Sequence, residues 1–363
     1  MAQGRIHRFD YGGNSGVFYM SEKSKRVVWV DTAKGICILL VVLHHCAQLL
    51  GASYPLQQEF MTFRMPLYFI LSGLFFKQYG FKTFLLKKTN KLLIPYVFFY
   101  VVTGVLIPVA LFRLFGLRLA FYESYGFKAV LSIFSERIIC NPSIWFLFCL
   151  FEVNMFFYLL YFISDYFKHS HVLLGILTFV VGLFGLFMAY KRIQLPYFID
   201  SSCTALPFFF FGYYLRNHTS VLTSDNTRKS VFFSIVFIVV TALLLHYFNY
   251  DRLSVIDNTA GGLMGCVQVY PYGIMGTMSI LLLSKMFGKV PALSYIGRYS
   301  IIVLCTHIYV LDLVSRLVKI GEGTGVRLLV VYVLTVIGCF ILIPIFKKYL
   351  AYFTAQKDLI KVN

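Results

Sequence analysis

The sequence is poor in charged residues. They make up 13% of the 363 positions, whereas hydrophobic residues make up 59% and the mean hydropathy is +0.77. A soluble globular domain carries about 25% charged residues, so this chain lacks the polar groups needed to cover a surface exposed to water. The composition therefore excludes an ordinary soluble protein and indicates that lipid surrounds most of the folded chain.

Several other patterns are missing. Alternating apolar and polar segments of roughly ten residues, which are typical of transmembrane β-barrels, do not occur. None of the eight cysteines forms a CxxC pair, so neither a zinc site nor a thiol redox motif is expected. We find no internal repeat and no second, soluble domain, and the polar first residues do not resemble a cleavable signal peptide. These absences favour an all-α membrane bundle without a bound metal.

The sequence contains long apolar runs separated by short polar loops. A helix needs about 20 such residues to cross the hydrocarbon of a bilayer. We predict a polytopic bundle of about ten transmembrane helices within a domain at 28–350, after a partly disordered segment at 1–27 and before a tail at 351–363. The predicted spans are 32–50, 64–80, 92–115, 144–167, 172–190, 201–216, 230–249, 267–287, 298–318 and 326–346.

The distribution of Lys and Arg predicts the orientation of these spans. With ten crossings, 22 of the 33 Lys and Arg residues fall on the side of the N-terminus. Cytoplasmic loops carry the excess of basic residues, so both termini are expected in the cytoplasm. The net charge of +18 is thereby explained by topology, and it does not indicate a nucleic-acid partner.

The first predicted helix carries ionisable residues at an unusual depth. Lys34 and His45 are eleven residues apart, which places them about 20° from the same face and roughly 16 Å apart along the axis. Burying such groups is costly unless they face protein or a water-filled cavity. The spacing predicts a tunnel wall with a cation near the cytoplasmic surface and an imidazole about halfway across the bilayer. His44 lies about 100° around the helix, so we expect it to support His45 or to pack against other helices.

Each of these residues also has a simpler interpretation. Lys34 could extend to the lipid headgroups and pair with Asp31, and His45 could be a buried structural residue. If His45 is catalytic, it could remove a proton from an acceptor hydroxyl as general base. It could instead take an acyl group itself as nucleophile. The sequence does not choose between these two roles.

A series of motifs resembles the bacterial membrane acyltransferase-3 family over about residues 27 to 350. That family carries Arg or Lys, ten residues and then His in its first helix, as Lys34 and His45 do here, and it usually has His where Arg64 stands. The other segments that are similar to the family are 63–73, 87–96, 145–147, 207–216 and 295–300 running to His307.

The resemblance implies transfer of an acyl group across the membrane. The donor would be cytoplasmic acyl-CoA, most simply acetyl-CoA, and the acceptor a hydroxyl of a glycan or related envelope molecule. The protein would be a multi-pass enzyme of the bacterial cytoplasmic (inner) membrane. A basic cluster attracts a polyanion such as CoA, although the same residues could only mark topology. The candidates for donor binding are Lys34, Lys87, Lys88, Lys91 and Arg298.

Four further residues are candidates for the site. Glu152 is a lone carboxylate in the fourth predicted span, where it could orient an imidazole, act in catalysis or bind the acceptor. Arg64 is expected near the outer face, in reach of an anionic acceptor or a headgroup. Trp145 could stack on a sugar or anchor the helix at the interface. His307, in the ninth span, is a candidate substrate contact.

Two other function classes stay open at this level. A transporter or flippase of an envelope precursor could use intramembrane polar residues for proton coupling, and the Gly- and Pro-containing span at 267–287 is a feature of such proteins. A non-catalytic scaffold is the third class, but it leaves Lys34, His45 and Glu152 without a function.

Overall fold

The computed structural model describes residues 27–118, 141–167, 170–218, 227–247, 253–255, 258–320 and 325–362. Most of these residues are helical, as predicted, and the strands among them form a two-stranded antiparallel hairpin of β1 (Leu253–Ser254) and β2 (Thr259–Ala260). The segment at 1–26, for which we predict partial disorder, lies outside the described residues.

Eleven helices are described in this part of the chain. They are α1 (Val28–Leu50), α2 (Gln57–Leu74), α3 (Phe81–Phe115), α4 (Trp145–Tyr166), α5 (His171–Lys191), α6 (Ile199–His218), α7 (Thr227–Tyr247), α8 (Leu263–Phe287), α9 (Pro291–Arg298), α10 (Ser300–Leu317) and α11 (Gly325–Tyr349).

Seven of these helices are long and apolar enough to cross a membrane, namely α1, α3, α4, α5, α8, α10 and α11. The other three predicted spans coincide with α2, α6 and α7, and their crossing stays a prediction, as does the cytoplasmic side of both termini. Large apolar side chains such as Val172, Phe184 and Ile341 are more than half exposed. An apolar exterior of this kind is what lipid contact requires, so the chain is a multi-pass membrane protein.

Helix α3 departs from the predicted boundaries. We expected a basic loop at 87–91 before a span at 92–115, but the whole segment is one helix with wider π-helical turns at Thr89–Leu93 and Val102–Leu106. Pro95 and Pro108 follow these turns directly. A proline ring clashes with the carbonyl one turn earlier in an α-helix, and a π turn relieves that clash while the helix continues.

Two other boundaries differ from the sequence-based prediction. Helix α2 begins seven residues before the predicted start at 64, so Arg64 lies two turns inside it. The predicted span at 298–318 corresponds to α10, which begins two residues later at Ser300, because a separate short helix, α9, ends at Arg298. The break between the two helices lets α9 leave the direction of α10 and lie across the start of α1.

Close backbone crossings hold the helices around the first one. A Cβ atom added at Gly35 would lie 2.1 Å from the carbonyl oxygen of Leu293, and one added at Gly297 would lie 1.9 Å from that of Asp31. Helices α1 and α9 therefore touch backbone to backbone. Small residues permit this approach, and van der Waals packing is the main attraction between helices in lipid.

The crossing of α2 and α6 follows the same principle. A Cβ atom at Gly73 would lie 1.9 Å from the carbonyl oxygen of Phe209, and one at Gly212 would lie 1.9 Å from that of Ile70. Each helix thus contributes one glycine to the contact. The crossing fixes the C-terminal half of α2 on its outer side, while its other side faces α1.

The C-terminal segment after α11 packs against α3. The buried side chain of Asn90 donates to the carbonyl of Ile360 over 2.8 Å and accepts from the amide of the same residue over 2.9 Å. Lys91 donates to the carbonyl of Ala355 and pairs with Asp358 at 2.9 Å. The predicted tail at 351–363 is therefore ordered as far as residue 362.

Candidate active site

A cavity of about 220 Å³ lies between α1, α2, α3, α4 and α10. Helix α1 lines it with Lys34, Ile38 and Val41, which are spaced four and three residues apart and so share one face. His45 is the next residue on that face, one turn beyond Val41. The cavity lining ends at Val41 on α1 and at Leu304 on α10, one turn before His45 and His307.

Lys34 is the polar residue that α1 contributes to the cavity, and it is partly buried. The hydroxyl of Tyr68, on α2, donates to the backbone carbonyl of Lys34 over 3.2 Å. Tyr68, Ser72 and Ser300 add hydroxyl groups to a lining that is otherwise mostly apolar. The cavity is thus mostly apolar with a small number of polar groups, as is usual for small-molecule sites.

His45 meets a second histidine from the far end of the chain. Its ring centroid lies 5.1 Å from that of His307 on α10, with a tilt of 43° between the rings, and 5.6 Å from that of His44. His307 is fully buried, and its Nδ1 lies 2.9 Å from the carbonyl oxygen of Val303. The imidazole of His45 therefore faces the interior of the bundle.

Arg64 lies deeper than we expected from the sequence. It is buried, its guanidinium donates to the carbonyl of Leu40 near the middle of α1, and its charge acts on His45. The early start of α2 explains this depth. Beyond Arg64, at the turn between α1 and α2, lies a cleft of about 600 Å³. Most of the residues that line it are polar, and they include Tyr54 and Glu59.

The basic candidates separate into two groups. Lys34 and Lys88 both line the cavity. The ammonium of Lys87 lies 3.5 Å from the ring centroid of Tyr79, and exposed Arg298 lies 5.5 Å from that of Tyr299. Lys91 is paired with Asp358, as described above. The structure thus brings only Lys34 and Lys88 of the five to the described lining.

Glu152 and Trp145 lie on α4, beside α6 and the turn before it. The hydroxyl of Ser202 donates to the carboxylate of Glu152 over 2.7 Å. Trp145 is buried, with its ring 5.7 Å from that of Phe198. The described contacts of these two residues belong to the packing of α4, and none of them joins either residue to His45.

Sequence reasoning missed some residues that shape the site. Tyr68 and Ser72 lie in the motif at 63–73, and their spacing from Met65 and Phe75 would have placed all four on one helix face. No local signal marks Asn141 and Ser143. These buried side chains precede α4 and donate to the carbonyls of Cys305 and Leu304, beside the inner end of the cavity.

Comparison with known proteins gives one finding that covers most of the chain. The family model described as an acyltransferase domain matches residues 27–344. No curated protein and no solved structure gives a significant match. The matched region contains helices α1 to α10 and most of α11, and with them the residues that line the cavity and both central histidines. The chain therefore belongs to the acyltransferase-3 family and is a membrane acyltransferase.

Proposed function

We propose that the protein transfers an acyl group, most simply acetyl, from cytoplasmic acyl-CoA to a hydroxyl of a cell-envelope glycan or related molecule, with His45 as general base. One observation carries this proposal. The face of α1 that begins at Lys34 lines a cavity as far as Val41, and His45 is the next residue on that face.

The character of the cavity supports an acyl-CoA donor. Lys34 and Lys88 line it, and Lys87, Lys91 and Arg298 lie on the side that we predict to be cytoplasmic. Such a group attracts the phosphates of CoA. The mostly apolar passage then accepts the thin pantetheine arm, whose amides would meet the hydroxyls of Tyr68 and Ser300. The thioester would reach the inner end of the cavity beside His45.

The opposite side of His45 supports access for a polar acceptor. The cleft at the turn between α1 and α2 is lined by polar residues and lies on the side that we predict to be extracytoplasmic. Arg64 extends from α2 towards the middle of α1, between this cleft and the histidines. A buried guanidinium with several donors would hold acceptor hydroxyl or anionic groups in place.

The chemistry needs a base in a site with little water. His45 takes the proton from the acceptor hydroxyl while its oxygen bonds to the thioester carbon. The C–S bond then breaks, and the proton returns from the imidazole to the thiolate, which leaves as CoA. Since both substrates meet at one buried imidazole, the lipid-embedded bundle also keeps water from hydrolysing the thioester.

The test is acyl transfer by purified protein in proteoliposomes. Radiolabelled acetyl-CoA is supplied outside vesicles made from total bacterial lipid, and label is measured in the lipid-linked and glycan fractions together with thiol release. We expect His45→Ala to abolish transfer while its unfolding temperature stays that of the original protein. His171→Ala is the matched control, because this residue lies in α5 beside His218 and does not line the cavity.

Three outcomes would contradict the proposal. Full transfer by His45→Ala would remove His45 from the mechanism. Label that stays on the protein when the acceptor is omitted, and that is absent from His45→Ala, would make His45 the nucleophile instead of the base. Movement of an envelope precursor across the vesicle membrane without any acyl donor would favour the transporter.

A further inference from the structure

His307 is a fully buried imidazole with one ring nitrogen already engaged. Its Nδ1 lies 2.9 Å from the carbonyl oxygen of Val303, one turn earlier in α10. A carbonyl oxygen can only accept a hydrogen bond, so Nδ1 carries the proton and Nε2 carries the lone pair. Within the described part of the chain, Nε2 is buried and has no hydrogen-bond partner.

A buried polar atom of this kind requires an explanation, because folded proteins rarely leave one unsatisfied. A residue of the neighbouring helix α1 supplies this explanation. The ring of His45 lies 5.1 Å away, centroid to centroid, which is close enough for a small side-chain movement to bring a nitrogen of His45 within hydrogen-bond distance of Nε2. Catalytic hydrogen bonds are often long before substrate binds and shorten in the reacting complex.

The surroundings of His45 include a side-chain hydrogen bond with Gln48 and the charges of neighbouring groups. The described groups whose charges act on it are His307, His44 and Arg64, and none of these is an acid. Glu152, the carboxylate that we expected to orient an imidazole, is hydrogen-bonded to Ser202 between α4 and α6. A protonated His45 would therefore lie near a guanidinium, and a hydrogen bond accepted by Nε2 of His307 would lower the energetic cost of that state.

We infer that His307 is a positioning residue that accepts a hydrogen bond from His45 when His45 becomes protonated. The inference rests on the proposed function of His45 as general base. When the acceptor O–H bond breaks, the proton binds the nitrogen of His45 that faces the acceptor, while the proton already on the other ring nitrogen of His45 is donated to Nε2 of His307. When the C–S bond breaks, the proton taken from the acceptor moves to the thiolate. His307 thus takes the place that a carboxylate holds beside many catalytic histidines.

Two substitutions at one position separate this function from simple packing. In His307→Asn the side-chain amide replaces Nδ1, so it can keep the bond to the Val303 carbonyl, but no acceptor remains at the position of Nε2. In His307→Gln the longer side chain places its amide oxygen near the position of Nε2. The two variants therefore differ mainly in whether they offer an acceptor to His45.

We expect His307→Asn to lower kcat by roughly 10- to 100-fold, which is the loss of a hydrogen bond to a charged group. The KM for acetyl-CoA should change by less than about twofold, because the CoA portion of the donor would lie in the cavity, on the other side of Val41 from His307. His307→Gln should recover at least about tenfold of the lost kcat. Both are measured in the proteoliposome assay, with the unfolding temperature of each variant determined in parallel.

The inference is overturned if His307→Asn keeps the original kcat, or if Asn and Gln lose the same activity. It is also overturned if the losses in kcat follow the unfolding temperatures. Failure of the proposed function would look different, because the original protein would then show no transfer at all, or His45→Ala would be fully active.

Discussion

The two faces of α1 are built in opposite ways. On one face Gly35 brings the backbone against α9 so closely that no Cβ would fit, and Thr32 adds hydrogen bonds to Gly288 and Ser294. On the other face Lys34, Ile38 and Val41 border empty space. Filled and open faces lie on the same three turns of one helix.

The difference shows how a helix in lipid can border a cavity without collapsing into it. Interiors pack densely, so a void persists only where the surrounding backbone is held in place. The contact with α9 holds α1 from behind, and the glycine crossing with α6 holds α2 on its outer side. The packed face therefore fixes the position of His45, and the open face is the path that we propose for the donor.

The largest expected effect comes from filling the open face. In Val41→Trp an indole would occupy the inner end of the cavity, so the acyl group could not reach His45. We expect transfer to fall about 100-fold or more, since misplacement of a reacting group costs that much, while the protein still folds because the void accommodates the ring. Acetyl-CoA turnover in proteoliposomes measures this. Val180→Trp, on the exposed face of α5, is the control. Normal turnover by Val41→Trp would mean that the cavity is not the path of the donor.

Adding an atom to the contact between α1 and α9 should change the stability of the protein instead of acyl transfer. In Gly297→Ala the new Cβ would meet the carbonyl oxygen of Asp31 at 1.9 Å, so α9 has to move away from α1. Such overpacking costs roughly 1 to 3 kcal/mol. Thermal unfolding in detergent measures the loss, with Gly325→Ala as control because nothing lies near a Cβ there. Equal unfolding temperatures for the two variants would show that this crossing is not tight.

A change at the outer end of the open face should alter donor binding. Lys34→Gln removes a partly exposed cation, so we expect the KM for acetyl-CoA to rise by roughly 3- to 10-fold with little change in kcat. Lys34→Arg keeps the charge and should stay within about twofold of the original KM. Steady-state kinetics at two salt concentrations measure both. A KM that does not respond to Lys34→Gln would assign Lys34 to the lipid headgroups.

The smallest effect is expected from one hydrogen bond behind the packed face. Ser294→Ala removes the 2.8 Å contact with Thr32, whose hydroxyl still donates to the carbonyl of Gly288. Because no donor is left unsatisfied, the loss in stability should be about 1 kcal/mol, with unchanged kcat and KM. Chemical denaturation of the purified protein would detect it. A change in kcat would instead mean that α9 contributes directly to the site.

Helices could be predicted from the sequence where one physical requirement decides their position, namely that a long apolar run in lipid is helical. The predicted span at 32–50 corresponds to α1 at Val28–Leu50, because a long apolar run leaves a chain in lipid few alternatives to a helix. Helix α2 was displaced by several residues, since Gln57, Gln58 and Glu59 are polar and the hydropathy pattern does not include them. The π turns of α3 depend on two prolines whose effect on hydrogen bonding the apolar pattern does not reveal.

The residues of the site also divide into those whose placement the sequence predicts and those whose placement it does not. The single face shared by Lys34 and His45 follows from helical spacing alone. The pairing of His45 with His307 does not, because the two are 262 positions apart and meet only through the packing of α1 against α10. Lys88 and Lys91 are three residues apart in one basic run, yet one lines the cavity and the other pairs with Asp358.

By itself the sequence determined that this protein lies in a membrane, that its elements are helices, and that one helix carries a cation and an imidazole on one face. Composition and local periodicity decide these properties, and both can be read along the chain. Only the tertiary structure decided which face is left open, how deep Arg64 reaches and which histidine stands beside His45. These depend on contacts between helices that are distant in sequence, and the crossings of α1 with α9 and of α2 with α6 form where glycines allow close approach.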